Sequence, residues 1–306
     1  VLHITGSDPN EFDIDWSQHL ADTSGCSVAI LFHIPNQPIW DLKEDDLIAH
    51  TFEKFLDDGD ETWPLLFPMV KSAVMAMDAL EEFVGSGLKF VVFGASKRGW
   101  TSWLTAATGD PRVVGIAPML FDSLKMTQQL EKQMRDWGEY SPMIEAYTSR
   151  NLDNVAESDL GRKLVAMVDP ATYLPDIKVP VMMINGANDP YWTSDALSLF
   201  WDDIQGPKYV VTVPNLGHAF EMTEWWTPSL AAFVRLCCGG SWLGMELVDV
   251  QTWAAQSETL HFDQSVWATT VCLSSAFNLA EFQSSRYRWD GLEFFLTTPV
   301  VVKKGR

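Results

Sequence analysis

Short apolar runs alternate with amphipathic stretches along the first three-quarters of the chain. Val1-Leu2-His3-Ile4-Thr5, Cys26 to Phe32, Phe90-Val91-Val92-Phe93, Val113 to Met119, Val179 to Asn185 and Lys208 to Val213 read as buried strands. Between them, Asp15 to Asp22, the stretch opened by Pro68, Trp100 to Ala107, Ser194 to Ile204 and Thr223 to Leu236 read as helices. In the Pro68 helix, Met69, Ala73, Val74, Met77 and Leu80 fall at steps of three and four, so one stripe packs on a sheet and the methionines fill its core. Strands that are apolar on both faces and separated by helices predict a mostly parallel sheet covered on both sides, an α/β fold. Phe121 to Leu174 breaks the alternation with irregular helices rich in Met, Gln, Trp and Tyr, placed to form a cap over the carboxyl ends of the strands. Beyond Gly239-Gly240 only short alternating segments follow, M-E-L-V-D-V, V-W-A-T-T-V-C-L and L-E-F-F-L-T-T, which predict a small β appendage. The expected division is 1–238 for the α/β part, with the cap at about 121–175, and 239–306 for the appendage.

Composition narrows the classes of function. The 306-residue chain carries a net charge of -20, which repels nucleic acid and argues against it as a partner. No run of about 18 apolar residues is present, so no membrane-spanning helix is predicted. Four cysteines, Cys26, Cys237, Cys238 and Cys272, have neither zinc-ligand spacing nor the density of a disulfide framework. Cys237 or Cys238 could reach Cys272 in an oxidising compartment. The acidic stretch from Gln37 to Trp63 lacks the spacing of an EF-hand loop and reads as a solvated surface, so neither a metal nor another cofactor is expected.

Candidate chemistry sits where strands end. After Phe93 the chain breaks at Gly94-Ala95-Ser96-Lys97-Arg98-Gly99 and continues as helix, a strand-turn-helix context that exposes a serine hydroxyl at a helix N-terminus. The second glycine comes one place later than in G-x-S-x-G. Asp189 follows the Val179 strand and His218 the Lys208 strand, so Ser96, Asp189 and His218 occupy successive strand ends in the order Ser, Asp, His. An alcohol becomes a nucleophile when an imidazole takes its proton, and a carboxylate orients that imidazole, so these residue types suit covalent acyl transfer. Asp122 and Asp169 compete for the acid position. Oxyanion donors are expected from the backbone N-H of Lys97 and of Gly6, Ser7 or Asp8 in the loop after the first strand. The Lys97 ammonium is expected to lean toward developing negative charge or a substrate carboxylate, and Arg98 to turn away and pair with a carboxylate under the turn. Trp137, Tyr140, Tyr147 and Tyr191 are candidate substrate contacts.

Several runs together resemble the PhoPQ-activated pathogenicity-related proteins: I-P-N-Q-P at 34 to 38, E-D-D-L-I-A-H-T at 44 to 51, W-P-L-L-F-P-M-V-K-S-A-V-M-A-M-D at 63 to 78, G-A-S-K-R-G-W-T-S-W-L-T-A-A at 94 to 107, D-P-A-T-Y at 169 to 173 and P-N-L-G-H at 214 to 218. That resemblance implies an α/β-hydrolase fold followed by a β domain, an extracellular or periplasmic setting, and no settled substrate. It also implies strands ahead of Val1 that this chain is expected to lack, and a Gly-Gly pair where Gly6 stands alone. The expected activity is serine hydrolysis of an ester or amide, of a small molecule or a peptide. Two alternatives are a secreted signalling protein that binds a receptor on a hydrolase scaffold and, from the G-x-S-x-x-G spacing, a carbohydrate esterase of the glucuronoyl type.

Overall fold

The computed structural model describes residues 1–219, 225–241, 245–269 and 277–305. Its opening strand β1 (Leu2–Ile4) leads through helix α1 (Glu11–Ser24) to β2 (Ala29–Leu31) at the sheet edge. The chain then crosses back through α2 (Glu44–Asp58) and α3 (Leu66–Val84) to β3 (Phe90–Ala95), which lies on the other side of β1. Helix α4 (Lys97–Ala107) and β4 (Val113–Met119) follow. Next come the cap helices α5 (Met126–Asp136), α6 (Glu145–Thr148) and α7 (Asp159–Val168), and then β5 (Val181–Gly186), β6 (Lys208–Val213) and α8 (Trp226–Cys237). All six strands are parallel, in the order β2-β1-β3-β4-β5-β6. Strand order reverses between β1 and β3, so their carboxyl ends open a crevice at the switch point.

Alternation of side chains across the pleat distributes the core. Phe90, Val92, Ile116, Val181, Met183 and Val210 face α2, α3 and α4, together with Met69, Ala73 and Met77 of the predicted stripe. Val91, Phe93, Ala117, Met182, Ile184 and Val211 face α1 and α8, against Trp16, Leu20, Leu230 and Phe233. Strands β3 to β6 are therefore apolar on both faces, as a doubly covered parallel sheet requires.

After α8, four antiparallel strands, β7 (Glu246–Ser257), β8 (Asn278–Trp289), β9 (Leu292–Thr297) and β10 (Val301–Lys303), form a second sheet built around β8. It is anchored on the first. Leu292 and Leu296 enter the α8 side of the core, Thr212 donates its N-H to Thr297 Oγ1 at 2.9 Å, and Ser229 Oγ donates to the Phe295 carbonyl at 2.8 Å. Ala187, just past β5, packs with Phe262, Trp267 and Phe282 in a third cluster.

One expectation changes. Ser194 to Ile204 forms two 3-10 turns, Ala196–Leu199 and Trp201–Asp203, in place of one helix. Side chains take carbonyls that a helix would need: Gln129 Nε2 donates to the Ala196 carbonyl at 3.1 Å and Lys208 Nζ to that of Trp201 at 2.6 Å. The Sγ of Cys26 lies 3.3 Å from that of Cys238, while Cys272, the partner considered for Cys237 or Cys238, lies outside the described residues. Of the V-W-A-T-T-V-C-L segment, Ala268 bridges Ala254 of β7, and residues 270–276 also lie outside them.

Candidate active site

Ser96 is the hinge between β3 and α4, at φ 54° and ψ -122°, a conformation that non-glycine residues rarely hold. Its late-coming second glycine has a steric reason. A Cβ at Gly99 would lie 2.9 Å from the Met119 carbonyl, so glycine is needed where α4 crosses the end of β4, and residue 98 is free to be arginine. Arg98 is 7% exposed, with Nη1 and Nη2 donating to the two carboxylate oxygens of Glu44 at 2.6 and 2.8 Å and Nε donating to the Ile34 carbonyl at 2.5 Å. Its guanidinium passes directly over Gly6, where a Cβ would fall 1.8 Å from Nη2. Burial opposes the charge on Glu44, but the bonds from Arg98 outweigh it, and the carboxyl is held down at about 2.

The loops after β5 and β6 bring the other two strand-end residues to the serine. His218 Nε2 lies 3.0 Å from Ser96 Oγ, and its Nδ1 lies 2.7 Å from Asp189 Oδ2. Asp189 Oδ1 accepts the Tyr191 N-H at 3.0 Å, which fixes the carboxylate in its turn. With Nδ1-H donated to Asp189, Nε2 is left as the acceptor facing the hydroxyl. The competing acids lie elsewhere. Asp169 accepts backbone N-H bonds from Lys125, Met126 and Ala171 and ties the cap together. Asp122 takes a bond from Asn185 at 3.4 Å; burial, then the neighbouring Asp189 charge, pushes its pKa up to about 8. The buried His3 stacks on Phe93 at 4.5 Å and is used up in the α1 side of the core.

Lys97 is placed differently from the expectation. Its ammonium is 2.7 Å from Asp45 and 3.6 Å from Glu44, so its charge is neutralised within the protein and does not lean toward a substrate. Asp45 also accepts from Tyr147 Oη at 2.9 Å and lies 3.5 Å from Tyr191 Oη. The Tyr191 ring in turn packs against His218 at a tilt of 35°, centroids 4.0 Å apart. Glu44 and Asp45 thus organise the site, although the acidic stretch containing them reads as solvated surface. A sequence-level signal was available: E-D-D opens a helix, and K-R opens the helix after the serine, two complementary charge pairs. Trp137 and Tyr140 are also corrected. Trp137 stacks on His261 and donates to the Leu260 carbonyl at 3.0 Å, joining cap to C-terminal sheet, and neither residue lines the cavity at Ser96.

Two spaces meet at the serine. One, of about 130 Å³, lies between the elbow and the cap and is lined by Phe52, Trp100, Phe121, Leu130, Ile144 and Leu164, with Tyr147, Tyr191 and His218. The other, a wider bay of about 390 Å³, is lined by Thr5, Gly6, Ser7, Glu44, Lys97 and Arg98. Gly6 and Ser7 therefore share a bay with Ser96 and Lys97, whereas the Asp8 carboxylate is bonded to His33 at 2.7 Å. Among the described residues, no cluster of His, Cys, Asp and Glu is arranged to hold a metal ion.

The loops carrying Asp189 and His218 are clasped from outside. Asn188 Nδ2 donates to the carbonyls of Asp263 at 2.9 Å and Ser265 at 2.6 Å, and Asn215 exchanges two bonds with the Trp267 backbone at 2.9 and 3.1 Å.

The chain is similar to known proteins in both sequence and architecture. Autocrine proliferation repressor protein A of Dictyostelium discoideum is 33% identical over 242 residues, which is 73% of this chain and 48% of that protein, so the chain spans about half the length of this curated relative. Among solved structures, Est1E from Butyrivibrio proteoclasticus superposes with a TM-score of 0.48 at 13% identity, covering 78% of this chain and 88% of that one. Acetyl xylan esterase 1 from Thermoanaerobacterium sp. JW/SL YS485 gives 0.46 at 17% identity, covering 77% and 74%. The profile of the PhoPQ-activated pathogenicity-related proteins matches residues 3–280, which reaches into the C-terminal sheet, well past the last matching run at Pro214 to His218. With its six-stranded parallel sheet flanked by helices, the chain is an α/β protein that belongs to the PhoPQ-activated pathogenicity-related protein family.

Proposed function

We propose that the chain is a serine hydrolase that cleaves carboxylic esters or amides through an acyl-enzyme. The observation that carries this reading is the relay from Ser96 through His218 to Asp189, with bonds of 3.0 and 2.7 Å. Ser96 Oγ attacks the carbonyl carbon as its proton passes to His218 Nε2, and Asp189 stabilises the imidazolium. The oxyanion is received by the N-H of Lys97 at the start of α4, with that of Gly6 or Ser7 across the bay. The carbon-oxygen or carbon-nitrogen bond to the leaving group then breaks, and the leaving group departs with the proton from His218. Water repeats the sequence on the acyl-enzyme and returns the acid. A fluorophosphonate probe is expected to label Ser96 in the folded protein and to fail on Ser96→Ala, with turnover of an activated ester falling by roughly 10⁴-fold or more. Absence of labelling in the folded wild type would reject the reading.

A second reading follows from the similarity to the proliferation repressor: a signalling protein that binds a receptor on this scaffold. Full activity of Ser96→Ala in a proliferation assay would favour it over catalysis.

A further inference from the structure

Two spaces of opposite character meet at Ser96, and an acyl-enzyme makes unequal demands on them. The acyl group stays covalently attached through the second half-reaction and must be held while water enters. The leaving group must depart. We propose, on the hydrolase reading above, that the 130 Å³ cavity under the cap receives the acyl group, and that this group is uncharged, apolar and about six to seven carbons long. The open, polar bay beside Gly6 and Ser7 then takes the leaving group.

Chemistry and size both point this way. Phe52, Trp100, Phe121, Leu130, Ile144 and Leu164 present hydrocarbon to the cavity. On its polar side, Asp45 is already bonded to the Lys97 ammonium at 2.7 Å and to the Tyr147 hydroxyl at 2.9 Å. Arg98 is committed to Glu44 on the bay side. No cation among these wall residues is left to receive a substrate carboxylate, and Asp153, which also lines the cavity, carries the wrong sign for one. A hydroxyl-rich sugar acid would leave most of its polar groups unpaired against a lining that is mainly hydrocarbon, which separates the cavity from what a glucuronoyl ester needs. As for size, an apolar cavity of about 150 Å³ is known to hold benzene, six carbons, so one of about 130 Å³ takes about five to six; the carbonyl carbon held at Ser96 adds one more.

The experiment is a series of p-nitrophenyl esters from acetyl to dodecanoyl, run beside a series with acyl fixed as hexanoyl and the alcohol lengthened. Each methylene entering the cavity is expected to raise kcat/KM about fourfold, the yield of burying one CH₂, to a maximum near six or seven carbons, with a fall beyond eight. Ile144→Ala enlarges the cavity and is expected to move the maximum two to three carbons longer, while Leu130→Phe moves it shorter. A maximum at acetyl, a rise continuing to dodecanoyl, or a dependence on alcohol length in place of acyl length would overturn the assignment, as would a maximum unmoved in both variants. Labelling of Ser96 by a fluorophosphonate bearing only small substituents separates the two levels. If Ser96 is labelled and the chain-length pattern fails, the cavity assignment falls and the hydrolase reading stands; if Ser96 is not labelled, both fall.

Discussion

Asp122 is a carboxyl in the position of a neutral hydrogen-bonding group. Burial raises its pKa to about 8, so it is protonated in the folded protein at neutral pH, whereas in the unfolded chain it ionises near 4. Its folded-state pKa is the higher one, so its favourable contribution to stability is complete below about pH 4 and is lost as pH rises through about 8. Asp122→Asn removes the titration while keeping a neutral polar group of the same shape. The difference in melting temperature, variant minus wild type, is therefore expected to grow from pH 5 to pH 8, measured by thermal denaturation at several pH values. A difference independent of pH would place the ionisation elsewhere. Residue identity alone told little here. Asp122, Asp169 and Asp189 are all acids after apolar runs, and only the folded packing separates a half-buried acid with a raised pKa, a backbone-capping acid and one bonded to histidine.

Helices α2 and α4 present their N-terminal turns to one another beside Ser96. Both ends carry partial positive charge, and α4 adds Lys97 and Arg98, which on their own are unfavourable there. Glu44 and Asp45 in the first turn of α2 compensate both helix ends at once. These pairs act as a unit, so a double-mutant cycle is informative: Asp45→Ala and Lys97→Ala are each expected to destabilise by about 1–3 kcal/mol, and the double variant by clearly less than their sum. Additive losses in chemical denaturation would mean that the pair contributes nothing beyond its members. The alternation of strands and helices was legible in the sequence because side-chain period is local. The strand-end positions of Ser96, Asp189 and His218 were legible for the same reason. The pairing of residues 44 and 45 with residues 97 and 98 was not, because nothing in local periodicity says that two helix starts so far apart in the chain will meet. Trp137 was misread for a related cause: an aromatic in an irregular segment can face a cavity or a neighbouring sheet, and here Leu260 and His261 supply the sheet-side partner.

Across the whole molecule, the second sheet is tied to the loops carrying Asp189 and His218 more closely than its composition suggests. Asn188 adjoins Asp189, Asn215 lies three residues before His218, and each is bonded to the segment 262–267. Asn188→Ala leaves these carbonyls without their donor and frees the Asp189 turn. It is expected to lower kcat about tenfold with KM within a factor of two, the signature of a mispositioned relay. A change confined to KM would assign Asn188 to substrate binding, and no change in either would show the clasp to be dispensable. The break in pattern after Gly240 marks where the strands change character, but the contacts that join the two sheets come from loops, where sequence periodicity carries no signal.

The Asn188 and Asn215 clasp also bears on how the protein comes apart. Because Ala187 sits in the same apolar cluster as Phe262, Trp267 and Phe282, the acid loop and the C-terminal sheet share one reservoir of buried surface. Neither can release its contacts without exposing the other. Loss of catalytic register and melting of the second sheet therefore belong to a single cooperative transition. Under rising urea, hydrolase activity, on the proposed reading, and the amide-exchange protection of β7 and β8 are expected to trace one curve; activity that outlasts the protection would separate the two.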